Sequence, residues 1–167
     1  LSGWKLAIVG RIDHKNKYAD CLASEAALAD NVVMTGFQTG ASLRQLYAHA
    51  GLFVLPSSHE GLPIALLEAL SYGLPVLVSD IPSNMEVVSD AERVFHMGSI
   101  AELSAKMRAL SDLNLSASGR EAIRSNCARR YNWTEIAQKT SAAYVALVNS
   151  KSGVALPGLN SSPRYKT

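Results

Sequence analysis

Two cysteines in 167 residues, Cys21 and Cys127, are too few and too far apart for a disulfide framework. Both sit in alanine-rich, helix-like segments, which fits a reducing compartment better than a cross-linked secreted scaffold. A catalytic cysteine has no partner pattern to support it. Charge of one sign is also missing, because Lys+Arg 16 against Asp+Glu 14 leaves a net charge of only +2. No basic run interleaved with aromatics marks a nucleic-acid partner, and the cluster from Arg120 to Arg130 falls at helical spacing as a solvated face. No apolar run approaches the length of a membrane span, and no stretch reads as a signal peptide. Internal repeats are absent. The chain does not begin with Met, which we read as processing or as a piece of something longer. What is present is 48% hydrophobic and 18% charged residues, the make-up of a globular domain that can bury a core without metal or disulfide staples.

Apolar runs alternate with helical patterns. Buried strands are expected at 4–10 ("WKLAIVG"), 31–37, 52–56 and 75–79, with a shorter one at 93–97. Helices are expected at 18–29 and at 42–51, the latter with a Ser42/Gln45 capping box and Gly51 as its stop. Another follows from Pro63, at the first helical position, to Gly73. The last third predicts helices at 99–111 (Ser99/Glu102 capping box), 116–131 and 134–149, the last opening at Asn132 to Glu135. Residues 151–167 lack periodicity and predict a disordered tail, leaving 1–150 as one domain. Strand–helix alternation with continuous apolar strands means an α/β fold, a Rossmann-like parallel sheet with helices on both faces. Ligands bind such sheets beyond the carboxyl ends of the strands.

One of those ends carries chemistry. "SSHEGLPIALLEALSYGLPVLVSD" leaves a strand, passes Glu60 and enters a helix whose single charge is Glu68, eight positions later. The first-turn amides of a helix lack internal partners and carry positive potential, a ready anion site. Pro63 has no N–H, so the candidate donors are Gly61, Leu62, Ile64 and Ala65. An ordinary strand-to-helix turn has the same appearance. Glu68 lies about 7.5 Å along the axis from Pro63, among apolar residues that predict burial. A buried carboxylate needs a partner: a vicinal diol, a neighbouring Arg or Lys, or loop amides. A glycosidase-like acid/base pair is the rival use of two carboxylates, disfavoured because water reaches Glu68 poorly under that reading. His59 either donates to a phosphate or lies in a polar loop. His14, His49 and His96 show no ligand spacing. Trp133 and Tyr144 read as core or interdomain packing.

The stretch "PSSHEGLPIALLEALSYGLPVLVSDIPSNMEVV" resembles the Glu-x7-Glu region of retaining glycosyltransferases of family 4, which have the GT-B fold. The resemblance extends upstream through "NVVMTGF" and "LRQLYAHAGLFVLPS" and downstream to "YNWTEIAQKTSAAY", covering roughly residues 4–149. It implies the carboxy-terminal, donor-binding half of a longer enzyme, a hexosyltransferase with a nucleotide-diphosphate sugar (UDP-, GDP- or ADP-linked) as substrate. By position, Glu60 is the catalytic residue, facing the transferred sugar, and Glu68 bonds the ribose. Gly61, Leu62, Pro63 and Ile64 lie against sugar and diphosphate, and Phe37, Gln38 and Thr39 meet the base. Asp80, Asn84 and Glu86 border the pocket, with Glu86 equally able to cap a helix that it opens. The resemblance implies no metal, in keeping with the lack of any Asp-x-Asp pair.

It also implies a cytoplasmic enzyme of polysaccharide or glycolipid assembly, with an acceptor glycan or glycolipid and peripheral membrane association of the whole enzyme. The sequence departs from the family in one respect. The Gly-Arg-Leu-x3-Lys-Gly stretch that clamps the diphosphate has no clear counterpart, because Arg11 and Lys15 in "VGRIDHKNK" are spaced one short. We therefore expect "WKLAIVG" to be the second strand of the domain. The first strand and the amino-terminal acceptor domain would be missing, and the fragment alone inactive. Rival readings are a nucleotide-sugar epimerase or phosphorylase on a related fold, and a non-catalytic α/β nucleotide-binding module.

Overall fold

A computed structural model describes residues 3–12, 16–113 and 115–150. His14, Lys15 and the tail at 151–167 lie outside the described residues. The chain divides into two compact units, Leu1–Cys127 and Ala128–Thr167.

In the first unit the elements run β1 (Leu6–Val9), α1 (Lys17–Ala27), β2 (Val32–Gly36), α2 (Gly40–His49), β3 (Phe53–Leu55), α3 (Ile64–Ser71), β4 (Val76–Ser79), α4 (Pro82–Val87), a 3-10 turn at Ala91–Arg93, β5 (Val94–Phe95), α5 (Ile100–Ser111) and α6 (Ala117–Arg130). Every strand pairing is parallel. The fold is α/β, as the alternation predicts. The one continuous sheet is instead two hydrogen-bonded ladders, β1-β2 and β3-β4-β5. Helix α1 packs on β2, α3 on β3 and β4, and α5 on β5.

Burial separates the two ladders. All four residues of β4 are buried, and Leu66, Leu74, Leu77 and Val78 are wholly inaccessible, as expected of a central parallel strand. Leu77, Phe95 and Leu110 form the centre of a core joined by Leu52, Val54, Leu103 and Met107. The expectation of burial fails for β1 and β2, where Leu6, Val9, Val33 and Met34 remain exposed. These strands pair only with each other among the described residues, so neither has neighbours on both sides.

Helix ends follow local chemistry. Asn16 Oδ1 accepts from the Ala19 N–H at 2.8 Å, and Ser99 accepts from the Glu102 N–H, one half of the box expected there, while the Glu102 carboxylate accepts from the His96 amide instead of the Ser99 amide. The Ser42/Gln45 box does not form, because α2 begins two residues earlier with Thr39 as its N-cap and no side-chain cap bond. Gly51 stands at C′, where a stop is expected, but its φ is not positive, and the chain already leaves the helix at Ala50 (ψ 144°). A Cβ on Gly51 would meet the Trp4 ring at 2.4 Å, so its use is room. Pro63 precedes the first helical residue of α3 and acts as its N-cap. At the other end Gly73 (φ +71°) completes a Schellman motif, with Gly73 N–H to Leu70 O at 2.9 Å and Leu74 N–H to Ala69 O at 3.1 Å. A Cβ on Gly73 would also lie 2.5 Å from the Arg120 carbonyl oxygen, so conformation and packing both require glycine.

The described part of the second unit is the end of α6 and α7 (Trp133–Ser150). Asn132 Oδ1 accepts from the Thr134 and Glu135 amides, the opening predicted for α7. Trp133 and Tyr144 are exposed and not core, as are Val145 and Val148.

Candidate functional site

The loop from β3 to α3 places the first carboxylate. Ser57 Oγ donates to Glu60 Oε1 at 2.7 Å, and both residues are half-buried, while His59 is exposed. Gly61 does not have a positive φ, and a Cβ there would have nothing within 4 Å. Neither backbone strain nor crowding within the chain therefore calls for glycine, and the space beside it is open. Leu62 and Ile64 are exposed and Pro63 is buried. The Ile64 amide is not available to a ligand, because it donates to the Leu62 carbonyl at 2.9 Å. The amides left at the mouth of α3 are those of Gly61, Leu62 and Ala65.

Glu68 is exposed, which overturns the expectation of a buried carboxylate. The reason is geometric. Helix α3 buries Leu66, Leu67 and Ala69, while Ile64, Ala65 and Glu68, at i, i+1 and i+4, share its open side. Its partner is neither a cation nor a loop amide. Tyr47 of α2 donates its hydroxyl to Glu68 Oε2 at 3.0 Å, with the Ala65 carbonyl oxygen at 3.3 Å. The Tyr47 ring is buried, stacked on Tyr72 (5.4 Å between centroids, 22° between planes) and tilted against Phe53 at 6.1 Å. Burial, and then the adjoining Glu68 carboxylate, push the Tyr47 hydroxyl pKa well above the ordinary tyrosine value. Tyr47 is thus a neutral donor over the whole physiological range.

The loop after β2 holds the three residues expected at a base. Phe37 is 63% exposed, and the Arg11 guanidinium lies 5.2 Å from its ring centroid. Gln38 Nε2 donates to the Thr35 carbonyl at 2.6 Å, which pins the loop, and Thr39 begins α2. That helix runs on to Tyr47, so one rigid element joins the Phe37–Thr39 loop to Glu68.

At the end of β4, Ser79 and Asn84 are wholly buried. Ser79 Oγ donates to the Ser57 carbonyl at 2.5 Å, and Asn84 Nδ2 donates to Ser79 Oγ at 3.0 Å and Ser79 O at 3.2 Å. Asp80 accepts from the Met97 amide at 2.8 Å and meets His96 Nδ1 at 2.6 Å, and these contacts, the amide first, hold its carboxyl below the usual range. Glu86 lies next to the last residue of α4, whose N-cap is Ile81, so it does not cap the opening of that helix.

Sequence reasoning missed Tyr47, Ser57 and Ser79 as parts of the site. Ser57 and Glu60 stand at i and i+3 and were readable together, but the contacts of Tyr47 with Glu68 and of Ser79 with Ser57 span about twenty residues. Among the described residues no group of three or more His, Cys, Asp or Glu side chains is placed to hold a metal ion. No described helix is long and apolar enough to cross a membrane.

Comparison with known proteins bears on the family and the fold. An uncharacterized glycosyltransferase of Methanocaldococcus jannaschii is 31% identical over 147 residues, covering 84% of this chain and 36% of its own. A GDP-mannose:cellobiosyl-diphosphopolyprenol alpha-mannosyltransferase of Xanthomonas oryzae is 36% identical over 89 residues, 53% of this chain and 23% of its own. The solved sucrose-phosphate synthase of Thermosynechococcus elongatus shares the fold with a TM-score of 0.73 at 22% identity, over 87% of this chain and 39% of that one. The chain spans about a third or less of the length of these curated relatives. The family described as glycosyl transferases group 1 matches residues 1–130, and the chain belongs to that family.

Proposed function

We propose that this chain is the donor-binding part of a retaining glycosyltransferase of family 4, the carboxy-terminal half of a GT-B enzyme. It binds a nucleotide-diphosphate sugar whose hexosyl group is passed to a glycan or glycolipid acceptor. The observation that carries the reading is the mouth of α3, flanked by two carboxylates each fixed by a hydroxyl. Ser57 holds Glu60 and Tyr47 holds Glu68, with open space beside Gly61.

Each part has a role in this reading. Glu60 accepts sugar hydroxyls, Glu68 accepts the ribose diol, and the Gly61, Leu62 and Ala65 amides face the diphosphate. Phe37, Gln38 and Thr39 meet the base. A departing diphosphate gains charge in the transition state, so fixed positive potential at the helix mouth stabilises that state more than the bound substrate. The α3 terminus supplies about 0.3–1 kcal/mol of this if it stays solvated. No step of this scheme needs a metal.

The mannosyltransferase relative makes GDP-mannose the first donor to try, with UDP- and ADP-sugars beside it. Titration calorimetry of the full chain should detect a nucleoside diphosphate. Glu68→Ala, which removes two charge-assisted bonds to the diol, should weaken it about tenfold or more, well beyond the loss of about 1 kcal/mol in stability expected from its bond with Tyr47. Unaltered affinity in that variant refutes the ribose assignment.

A further inference from the structure

We propose that Ser57 is a positioning residue for the sugar end of the ligand, held in place by a buried Asn84–Ser79 pair that fixes the Glu60 carboxylate. This rests on the reading of Glu60 as the sugar-facing carboxylate.

The protons in the chain of bonds have one consistent arrangement. Ser79 has a single hydroxyl hydrogen, and its bond to the Ser57 carbonyl at 2.5 Å uses it. Ser79 Oγ must therefore accept from Asn84 Nδ2, whose two hydrogens serve Ser79 Oγ and Ser79 O. Both Ser79 and Asn84 are inaccessible to solvent, so water does not compete for these bonds. The Ser57 carbonyl is thereby anchored to the end of β4. The Ser57 hydroxyl is left to donate outward, to Glu60 Oε1 at 2.7 Å. With Oε1 engaged, Oε2 is the Glu60 oxygen with both lone pairs open to a ligand.

The arrangement carries a cost in stability. Asn84 Oδ1 is buried without a hydrogen-bond partner among the described residues, a deficit that costs about 1–3 kcal/mol. An apolar residue at 84 would avoid that cost but would lose both donors, and with them the grip on Ser79. The amide makes sense as a fixture for the loop. The network ends on Glu60 and does not include Glu68, whose hydroxyl donor is Tyr47 on another helix. The two carboxylates are thus oriented independently. Disturbing Ser57 should affect recognition of the sugar and leave recognition of the nucleotide intact.

The test compares GDP-mannose with GDP by calorimetry on the full chain, followed by UDP-glucose with UDP and ADP-glucose with ADP if the first pair does not bind. Ser57→Ala should weaken the nucleotide sugar about tenfold and the nucleoside diphosphate less than about twofold, and Ser57→Thr should restore the sugar's affinity. Should Ser57→Ala fold poorly, Ser57→Thr against Ser57→Val compares hydroxyl and methyl at nearly equal volume. Equal weakening of both ligands, or of neither, overturns the proposal. Glu60→Ala separates the two levels. If it too fails to discriminate sugar from diphosphate, the assignment of Glu60 is wrong; if it discriminates and Ser57→Ala does not, only the positioning role falls. A chain that binds none of the three pairs refutes both.

Discussion

Tyr47→Phe removes one oxygen and leaves the ring, so it isolates the bond to Glu68. The stack on Tyr72 and the contact with Phe53 survive in phenylalanine. The hydroxyl has one proton and two acceptors, and the carboxylate at 3.0 Å takes it over the Ala65 carbonyl at 3.3 Å. A hydrogen bond to a charged group contributes about 1.5–3 kcal/mol when dry. Glu68 is exposed and regains water when the bond is lost, so we expect a loss of about 1 kcal/mol, in the range of an ordinary net hydrogen bond. Ligand affinity should fall by about three- to tenfold, because a freed glutamate must be ordered again at about 0.5–1.5 kcal/mol.

The pH dependence gives a second check on the same variant. Folding raises the Tyr47 pKa, so the fold favours the neutral hydroxyl. Its contribution is complete below the unfolded value of about 10 and is lost as pH rises through the folded value. Urea unfolding of wild type and variant from pH 7 to 11 should show a stability gap that is constant to about pH 10 and then closes. A gap that widens above that pH, or a variant as stable as wild type at pH 7 with unchanged nucleotide affinity, refutes the role given to Tyr47.

Two further perturbations test the frame around the site. Gly73→Ala combines left-handed strain of about 1–2 kcal/mol with overpacking of about 1–3 kcal/mol against the Arg120 carbonyl at 2.5 Å. Urea denaturation should show a loss of about 2–5 kcal/mol from that sum, and a loss below about 0.5 kcal/mol contradicts the packing described. Asp80→Asn should lower the melting temperature at pH 7, because Met97 N–H and then His96 stabilise the ionised carboxylate. Since folding depresses this pKa, the contribution is present above the unfolded value of about 4 and is lost as pH falls through the folded one. Wild type and variant should therefore converge in acid, and a gap that persists at pH 2 would count against the assignment.

The strand–helix order was legible because each signal is local. Continuous apolar runs, Ser99 and Gly73 all act within a few residues of themselves. What escaped depends on distant neighbours. "WKLAIVG" is as apolar as "PVLVS", yet β1 is exposed and β4 buried, because β4 has a paired strand on each side and β1 has one among the described residues. The crowding at Gly51 comes from Trp4, nearly fifty residues earlier. At the site, the two carboxylates and the helix between them were visible as a spacing. The hydroxyls that orient them were not, since Tyr47 and Ser79 reach their partners only through tertiary folding.

The exposure of Glu68 changes the energetic argument as well as the geometry. A buried carboxylate waiting for a diol would carry several kcal/mol of desolvation whenever the site was empty. An exposed one keeps its water and gives it up only when a ligand arrives, while the neutral Tyr47 hydroxyl holds one of its oxygens in register. Glu60 is in the opposite situation, half-buried and tied through Ser57 to side chains that water does not reach. In the proposed reading, the cost of order at Glu60 is therefore met on folding, and at Glu68 more of it falls on ligand binding. Substitutions around Glu60 should accordingly show up in the choice of sugar, and substitutions around Glu68 in overall nucleotide affinity.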